Sequence, residues 1–246
     1  MWRGLILGVL AVFVWFRWPD DSCAAFQQTG SEVWLAIGQS NAANHAEQRM
    51  TGVKGVYAFD GKRCAPATDP LPGASGGGGS VWVALANRWI ESGKADRILL
   101  ISRAKESTAI AEWQPGGALF GRIAKVRREL DERQLRVRRI LWVQGESDAA
   151  LGTSQQAYSQ ALAALVTGLR RIGLDAPVHV ALASICGPSS NSAVRRAQLS
   201  SVGDNGVRLG PDLDRIGTAD RYERCHFTAS GQRAAVDAWT AALGSD

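Results

Sequence analysis

Histidine and cysteine are both scarce in this sequence, which has three histidines and four cysteines among 246 residues. Four cysteines are too few to build a disulfide-dense miniprotein, and none of them has the CxxC spacing that is typical of a structural zinc site. The 27 glycines and 8 prolines are too few for a fibrous or proline-rich chain. The chain is 46% hydrophobic and 21% charged, which excludes wholesale disorder and predicts an enzyme-sized globular protein of one domain or two small ones.

The formal net charge is +5, a balance that is compatible with nucleic acid or an acidic membrane as a partner. The excess is local, however. Residues 122–139 contain eight basic and three acidic residues, and 8 − 3 = +5 equals the excess of the whole chain. Because this stretch has the pattern of an amphipathic helix exterior, we favour a solvated face, or contact with anionic envelope lipids, over nucleic-acid binding.

The N-terminus begins with a basic residue and an uncharged apolar run over residues 4–16. As a helix this run spans roughly 20 Å, short of the roughly 30 Å hydrocarbon core, which suits a signal peptide better than a full transmembrane helix. No clear Ala-x-Ala cleavage site follows. We therefore interpret residues 1–24 as a signal peptide or an N-terminal membrane anchor, and residues 31–246 as the folded domain.

Either interpretation of the leader predicts export, to the periplasm, to the extracellular space or to a membrane-anchored position facing outward. An oxidising compartment favours one or two disulfides. We expect Cys186 and Cys225 to form a pair because both lie on late loops. Membrane association through residues 4–16 is a possible consequence of a retained anchor.

Short apolar runs alternate with amphipathic runs along the rest of the chain. Four runs predict strands that are buried on both faces, at residues 33–37, 97–102, 139–144 and 178–184. Helical spacing predicts helices at residues 81–92, 117–134, 155–172, 191–202 and 229–243. This alternation predicts an α/β fold with a parallel sheet. Residues 73–80, GASGGGGS, are interpreted as an active-site loop because the pieces that flank them are too short for separate cores.

Binding sites in open parallel sheets form beyond the carboxyl ends of the strands, which directs attention to Ser40 after the first predicted strand and Gln144 after the third. A serine nucleophile requires a general base. His179 lies inside a predicted strand, and His45 is too close to Ser40 in sequence to act across loops, although it is placed to line the pocket. His226, on a loop before the last helix, is therefore the predicted base.

Three segments together resemble the SGNH/GDSL hydrolase superfamily: IGQSNA at residues 37–42, WVQGESD at residues 142–148 and ERCHFTASG at residues 223–231. More narrowly, they look like its sialate O-acetylesterase-like and acetylxylan-esterase-like branch, in which GQSN replaces the GDS string. Residues 69–82 and 107–117 are also similar to that branch. The resemblance implies a three-layer α/β/α sandwich with a central parallel sheet of about five strands, the flavodoxin-like SGNH fold.

The resemblance also implies catalytic roles. Ser40 matches the nucleophile, and its backbone N–H matches an oxyanion-hole donor; His226 matches the general base. The family places an aspartate three residues before the histidine, and here that residue is Glu223. Glutamate is longer by one methylene and still holds an imidazole in other triads. We favour Glu223 as the partner of His226, with Asp220 as the competitor and a Ser–His dyad as the third alternative.

Further positions match the branch or suit its chemistry. The backbone N–H of Gly79 and the side-chain amide of Gln144 match oxyanion-hole donors. Asn41 and Asn44 are candidates for substrate binding, or else for capping the turn after the nucleophile. Trp113 is placed either to stack on a sugar ring or to fill the core.

Glu146 and Asp148 lie two residues apart in the QGESD segment. A glycosidase carboxylate pair is one interpretation of them. We favour the other, in which both carboxylates accept hydrogen bonds from the loop and fix Gln144.

The implied function is an exported serine esterase that removes O-acetyl groups from a carbohydrate, such as sialic acid or a plant or envelope polysaccharide, through an acetyl-Ser40 intermediate. No metal, organic cofactor or nucleic acid is expected. Two alternatives are a glycan O-acyltransferase and a catalytically weak carbohydrate-binding envelope protein. The second stays open because Glu223 departs from the aspartate of the family. The sequence defines neither the sugar nor the oligomeric state.

Overall fold

A computed structural model describes residues 23–203 and 206–244. The predicted leader therefore lies outside the described residues, apart from its last two positions. Those two belong to the folded unit, because Cys23 is bonded to Cys64 and Ala24 begins a 3₁₀ turn, Ala24–Gln27. The folded unit thus starts before residue 31. Within the described ranges, no helix has the length and apolar character needed to cross a membrane.

A seven-stranded sheet lies at the centre of the fold. Its strands are β1 (Ser31–Gly38), β2 (Val56–Phe59), β3 (Cys64–Pro66), β4 (Arg97–Ser102), β5 (Arg139–Val143), β6 (Val178–Leu182) and β7 (Val207–Asp212). The spatial order is β3-β2-β4-β1-β5-β6-β7, and only the β2–β3 pair is antiparallel. The α/β fold with a largely parallel sheet is confirmed, with more strands than the five or so that were expected.

The described residues also form six α-helices: α1 (Val81–Glu91), α2 (Phe120–Asp131), α3 (Glu146–Leu151), α4 (Gln155–Arg171), α5 (Ser192–Ser200) and α6 (Ala229–Gly244). All but α3 match predicted helices. The helices α1 and α6 pack on one face of the sheet, whereas α2, α4 and α5 pack on the other. The predicted three-layer arrangement is therefore present.

Residues of β1 alternate between the two cores. Trp34 and Ala36 belong to the core beneath α1 and α6, whereas Leu35 and Ile37 belong to the core beneath α2, α4 and α5. Strands covered by helices on both faces have continuous apolar sequences for this reason. Because β1 lies between β4 and β5 in parallel register, the segments that follow these three strands emerge together at the carboxyl edge of the sheet.

Two disulfides close long loops of the fold. Cys186–Cys225 was predicted and is present, with a sequence separation of 39. Cys23–Cys64, with a separation of 41, was not predicted. The first joins the loop after β6 to the segment before α6, and the second fastens the start of the folded unit to β3.

Candidate active site

A cavity of about 500 Å³ opens at the carboxyl edge of the sheet. Its wall contains residues that follow β1, β4 and β5, together with residues from the segment before α6. Ser40 and His226 both line it, as does His45. The structure thus brings together the predicted nucleophile and the predicted base, from opposite ends of the chain.

Ser40 begins a 3₁₀ turn, Ser40–Ala42, directly after β1. The approach to this turn depends on Gly38, which has a φ of +126°. A Cβ atom at that position would lie 2.0 Å from the carbonyl oxygen of Val143 on β5, so only glycine allows the two strands to come this close. Because the first N–H groups of a helical turn have no partner inside the turn, the Ser40 N–H is placed to serve an acceptor in the cavity.

Asn41 connects three parts of the site. Its Nδ2 donates to Glu146 Oε1 at 2.7 Å and to the carbonyl oxygen of Cys225 at 3.2 Å. The neighbouring Asn44 donates to the Leu71 carbonyl at 2.9 Å and accepts from the Leu71 N–H at 2.7 Å. Both amides are buried and engaged. The structure therefore gives them the role of bracing the site, in place of the expected contact with substrate.

Gln144 is fully buried within a hydrogen-bonded network. Its Nε2 donates to Asp148 Oδ2 at 2.6 Å and to the Thr108 carbonyl at 3.0 Å, and its Oε1 accepts from the Tyr158 hydroxyl at 2.8 Å. The side-chain amide is thus committed to protein acceptors, which corrects the expectation that it serves the oxyanion. The expectation that Asp148 fixes Gln144 is confirmed by their hydrogen bond.

Two other expected site residues lie away from the cavity lining. The Gly79 N–H donates to the Ala46 carbonyl at 2.7 Å, so it is not available as an oxyanion donor. Trp113 is fully buried, its Nε1 donates to Thr108 Oγ1 at 3.0 Å, and its ring packs edge-on against Trp142. Of its two interpretations, the core-filling one is correct.

His226 lies on a short strand, His226–Phe227, which pairs with Arg221–Tyr222. Its ring stacks on His45, with the ring centroids 5.0 Å apart and an interplanar angle of 25°. Burial lowers the pKa of His226; His45 and Arg221 add to this effect and Glu223 opposes it. A neutral imidazole in the cavity is therefore favoured, which is the form that accepts a proton.

Glu223 Oε2 lies 3.8 Å from His226 Nδ1, within ion-pair range but too far for a hydrogen bond. Its side chain is 76% exposed, and Nδ1 has no hydrogen-bond partner among the described residues. The competitor Asp220 is engaged elsewhere, since its Oδ1 accepts from the Ser230 hydroxyl. Glu223 is thus the better placed of the two carboxylates, and its contact with the base is a loose one.

The segment after β4 contributes residues that were not singled out from the sequence. Glu106 Oε2 lies 3.1 Å from His45 Nε2, and Glu106 also pairs with Lys105. Burial opposes ionisation of this carboxyl, but hydrogen bonds from Lys105, Ser75 and His45 outweigh burial and lower the pKa of Glu106 to about 2. Ser107 follows it in the cavity wall. The rule that directed attention to the ends of β1 and β5 applies equally to β4 and would have found both residues.

Glu146 also lines the cavity. It was expected to accept hydrogen bonds within its own loop, and its carboxyl does accept from its own backbone N–H; its Oε1 also accepts from Asn41. Burial raises the pKa of Glu146, and Oε2 has no hydrogen-bond partner in the described part of the chain. Across residues 23–203 and 206–244, no group of three or more histidine, cysteine, aspartate or glutamate side chains is placed to hold a metal ion.

The model of one protein family, described as carbohydrate esterase, sialic acid-specific acetylesterase, matches residues 30–242. Among curated proteins, the probable carbohydrate esterase At4g34215 of Arabidopsis thaliana is 31% identical over 137 residues, which are 54% of this chain and 50% of that protein. The aligned part of the chain thus spans about half the length of this relative.

Solved structures with the same architecture include the At4g34215 protein, with a TM-score of 0.69 and 21% identity over 87% of this chain and 98% of that one. NanS has a TM-score of 0.59 and 16% identity over 87% and 97% of the two chains. XAC1771, a carbohydrate acetylesterase from Xanthomonas citri, has a TM-score of 0.53 and 20% identity over 87% and 56%. At these identities the likeness demonstrates a shared fold.

Proposed function

Because this chain belongs to the carbohydrate esterase family described as sialic acid-specific acetylesterases, we propose that it hydrolyses O-acetyl esters of a sugar through an acetyl-Ser40 intermediate. Membership of the family supports the acetylesterase activity, and the activity on a sugar and the covalent mechanism are both our proposal. The observation that carries it is that Ser40 and His226 line one cavity, with the pKa of the histidine lowered.

In the proposed reaction, Ser40 Oγ attacks the acetyl carbonyl carbon while His226 takes the hydroxyl proton. The tetrahedral intermediate then expels the sugar, and His226 returns the proton to the sugar oxygen. A water molecule attacks the acetyl-enzyme with His226 again acting as the base, and acetate leaves as Ser40 regains its proton. Glu223 stabilises the imidazolium across the 3.8 Å separation.

We assign the oxyanion to the backbone N–H groups of Ser40 and Ser107. Both residues line the cavity, and Ser107 has a φ of +55°, an unusual backbone conformation for a non-glycine residue that is found at functional sites. The loop is held by Thr108 Oγ1, which donates to the Lys105 carbonyl at 2.8 Å. One such donor typically contributes about 10²–10³ in rate.

Rapid acid quenching of the enzyme during hydrolysis of a chromogenic acetate ester tests the covalent route. We expect peptide mass analysis to find one acetyl group on the peptide that contains Ser40, and none in the Ser40→Ala protein. Steady hydrolysis with no acetylated peptide at any quench time would contradict the mechanism. In the presence of an added glycan, a hydrolase releases the labelled acetyl group as free acetate. An acyltransferase places the label on the glycan instead.

We also propose that the protein is exported, either with its leader removed or anchored through residues 4–16. The two disulfides support this proposal, since such bonds persist mainly in oxidising compartments. Fractionation of cells that express the full chain, combined with N-terminal sequencing of the product, tests both forms. A protein recovered in the cytosol with reduced cysteines would contradict export.

The acid limb of the pH profile of kcat/KM is expected to have its midpoint below the ordinary histidine value of about 6.5, because the pKa of His226 is lowered. Activity is present above that pKa and is lost as the pH falls through it, since the imidazolium cannot accept a proton. His45→Gln removes one cause of the lowering, so the limb should move to higher pH. Glu223→Gln removes the opposing influence, so the limb should move to lower pH. If the acid limb moved in the same direction in both variants, His226 would not be the group that sets it.

Loss of the Cys186–Cys225 bridge, by replacing both cysteines with alanine, is expected to lower the free energy of unfolding by about 3 to 4 kcal/mol in a chain-entropy estimate for a loop of this length. The matched control removes Cys23–Cys64, which has nearly the same separation and should cost a similar amount in urea denaturation. Only the first variant should lose kcat under native conditions, because Cys225 immediately precedes His226. Equal kcat in the two variants would show that the bridge does not position the base.

A further inference from the structure

The charged side chains that line the cavity, histidines aside, are all acidic: Glu106, Glu146 and Glu223. No lysine or arginine belongs to its wall among the described residues. A cleft with walls of one sign of charge concentrates its field on whatever enters it and disfavours a ligand of the same sign. The cavity therefore bears on which sugars can present an acetyl ester to Ser40.

The basic groups near the cavity are engaged with other groups or lie outside its wall. Lys105 is paired with Glu106, and the Arg221 guanidinium is buried and donates to three backbone carbonyl oxygens. Arg49 donates to a carbonyl of the glycine-rich loop. Arg224 is exposed and outside the lining. None of these guanidinium groups belongs to the cavity wall, where arginine would recognise a carboxylate by a two-pronged contact.

The acidic residues differ in how much negative charge they bring. Glu106 stays ionised at any pH at which the enzyme functions, since its pKa is about 2. Glu223 adds a carboxyl at the exposed end of the cavity. Burial raises the pKa of Glu146, so this residue contributes least to the field. Glu106 is thus a fixed negative group in the wall, and Lys105 balances part of its charge.

We propose that this esterase acts on neutral O-acetylated sugars and discriminates against sugars that carry a carboxylate close to the acetyl ester, sialic acid included. The inference rests on the proposed function and deepens it, because it concerns the substrate class of the same site. Carboxylates are acceptors only, so they suit the hydroxyl donors of a neutral sugar. An anionic sugar meets Glu106 and Glu223; Lys105 balances part of the charge of Glu106, but no lysine or arginine of the described cavity wall is placed to bind the carboxylate of the sugar.

A matched pair of substrates tests the inference: an O-acetylated sialic acid and the carboxamide of the same molecule, which are nearly equal in size and differ by the replacement of a charged carboxylate oxygen with an uncharged NH2 group. We expect kcat/KM to be at least about tenfold higher for the carboxamide, a difference of about 1.4 kcal/mol. Added salt should narrow the gap, since it screens exposed charges. Calorimetric binding of both sugars to the Ser40→Ala protein measures the same preference without turnover.

The variant Glu106→Gln removes one negative charge from the wall and leaves Lys105 without its ion-pair partner. We expect the ratio of the two kcat/KM values to fall toward one in this variant. Glu132→Gln is the matched control, because Glu132 is exposed beyond the end of α2, on the segment that leads to the opposite edge of the sheet. The control removes the same charge from the chain and should leave the ratio unchanged.

Two failures are distinguishable in this design. If the chromogenic acetate is hydrolysed but the anionic sugar has an equal or higher kcat/KM, or an equal or lower Kd for the Ser40→Ala protein, the inference is overturned and the proposed function stands. If no acetate ester is hydrolysed, the proposed function fails. The Kd comparison then still decides the inference, and tighter binding of the carboxamide supports it.

Discussion

Replacement of Ser40 by alanine is expected to lower kcat for a chromogenic acetate ester by about 10⁴-fold or more, while leaving the melting temperature nearly unchanged. The substitution removes the atom that is acylated and leaves the backbone donors of the cavity in place. The residual rate reports what those donors contribute without a covalent route. The measurement is kcat under saturating ester, with thermal unfolding followed on the same preparation.

Two other serines in the cavity wall are the matched controls for Ser40. Ser107 and Ser147 both line the cavity, and the hydrogen bond of Ser147 to Gln39 uses its backbone N–H, so alanine preserves it. Alanine at Ser107 likewise keeps the backbone N–H that we assign to the oxyanion, so Ser107→Ala and Ser147→Ala should each keep kcat within about tenfold of the wild type. If either variant lost more kcat than Ser40→Ala does, that serine would be the nucleophile in place of Ser40.

Replacement of Gly38 by alanine is expected to have the largest effect on stability, with a loss of about 4 kcal/mol or more in the free energy of unfolding. The new Cβ would lie 2.0 Å from the Val143 carbonyl oxygen, and the φ of +126° is one that side chains rarely adopt. The clash is between the new Cβ and a backbone oxygen of the adjacent strand, so no flexible side chain can move aside to relieve it. Because Ser40 lies two residues further on, kcat should fall together with stability.

The variant Gly93→Ala is the control that measures the energetic cost of a positive φ without a steric clash. Gly93 also has a positive φ, at +71°, but nothing lies within 4 Å of an added Cβ. Its replacement should lower the free energy of unfolding by only about 1 to 2 kcal/mol. Urea denaturation of both glycine variants measures the difference. If Gly38→Ala costs no more than Gly93→Ala, the contact between β1 and β5 is looser than the structure indicates.

The strands β1, β4, β5 and β6 were predictable because each is a continuous apolar run. A strand covered by helices on both faces needs apolar residues at nearly every position. The short β2 and β3 and the edge strand β7 were not, since two consecutive residues of β7 are exposed and the other two strands have only three or four residues. α3 was missed because its six residues start inside the QGES motif.

Within the candidate site, Ser40 and His226 were predictable because few residues could meet the requirement for a nucleophile and a base. The roles of Gln144 and Asn41 were not. A buried amide reads the same in sequence whether it serves a substrate or braces a loop, and its partners here come from segments far away in the chain. Trp113 shows the same ambiguity for an aromatic ring, which the structure resolves in favour of packing.

The position of β1 between β4 and β5 has a consequence for the order in which the molecule acquires its properties. The strand β1, which ends at Gly38, precedes the turn that contains Ser40. Both strands that pair with it, β4 and β5, are complete at Val143. The base arrives only with His226, and its neighbour Cys225 must still be oxidised with Cys186. All seven strands of the described sheet therefore precede the base in the chain. During synthesis, the nucleophile and its base are both present only after the segment before α6 has been made.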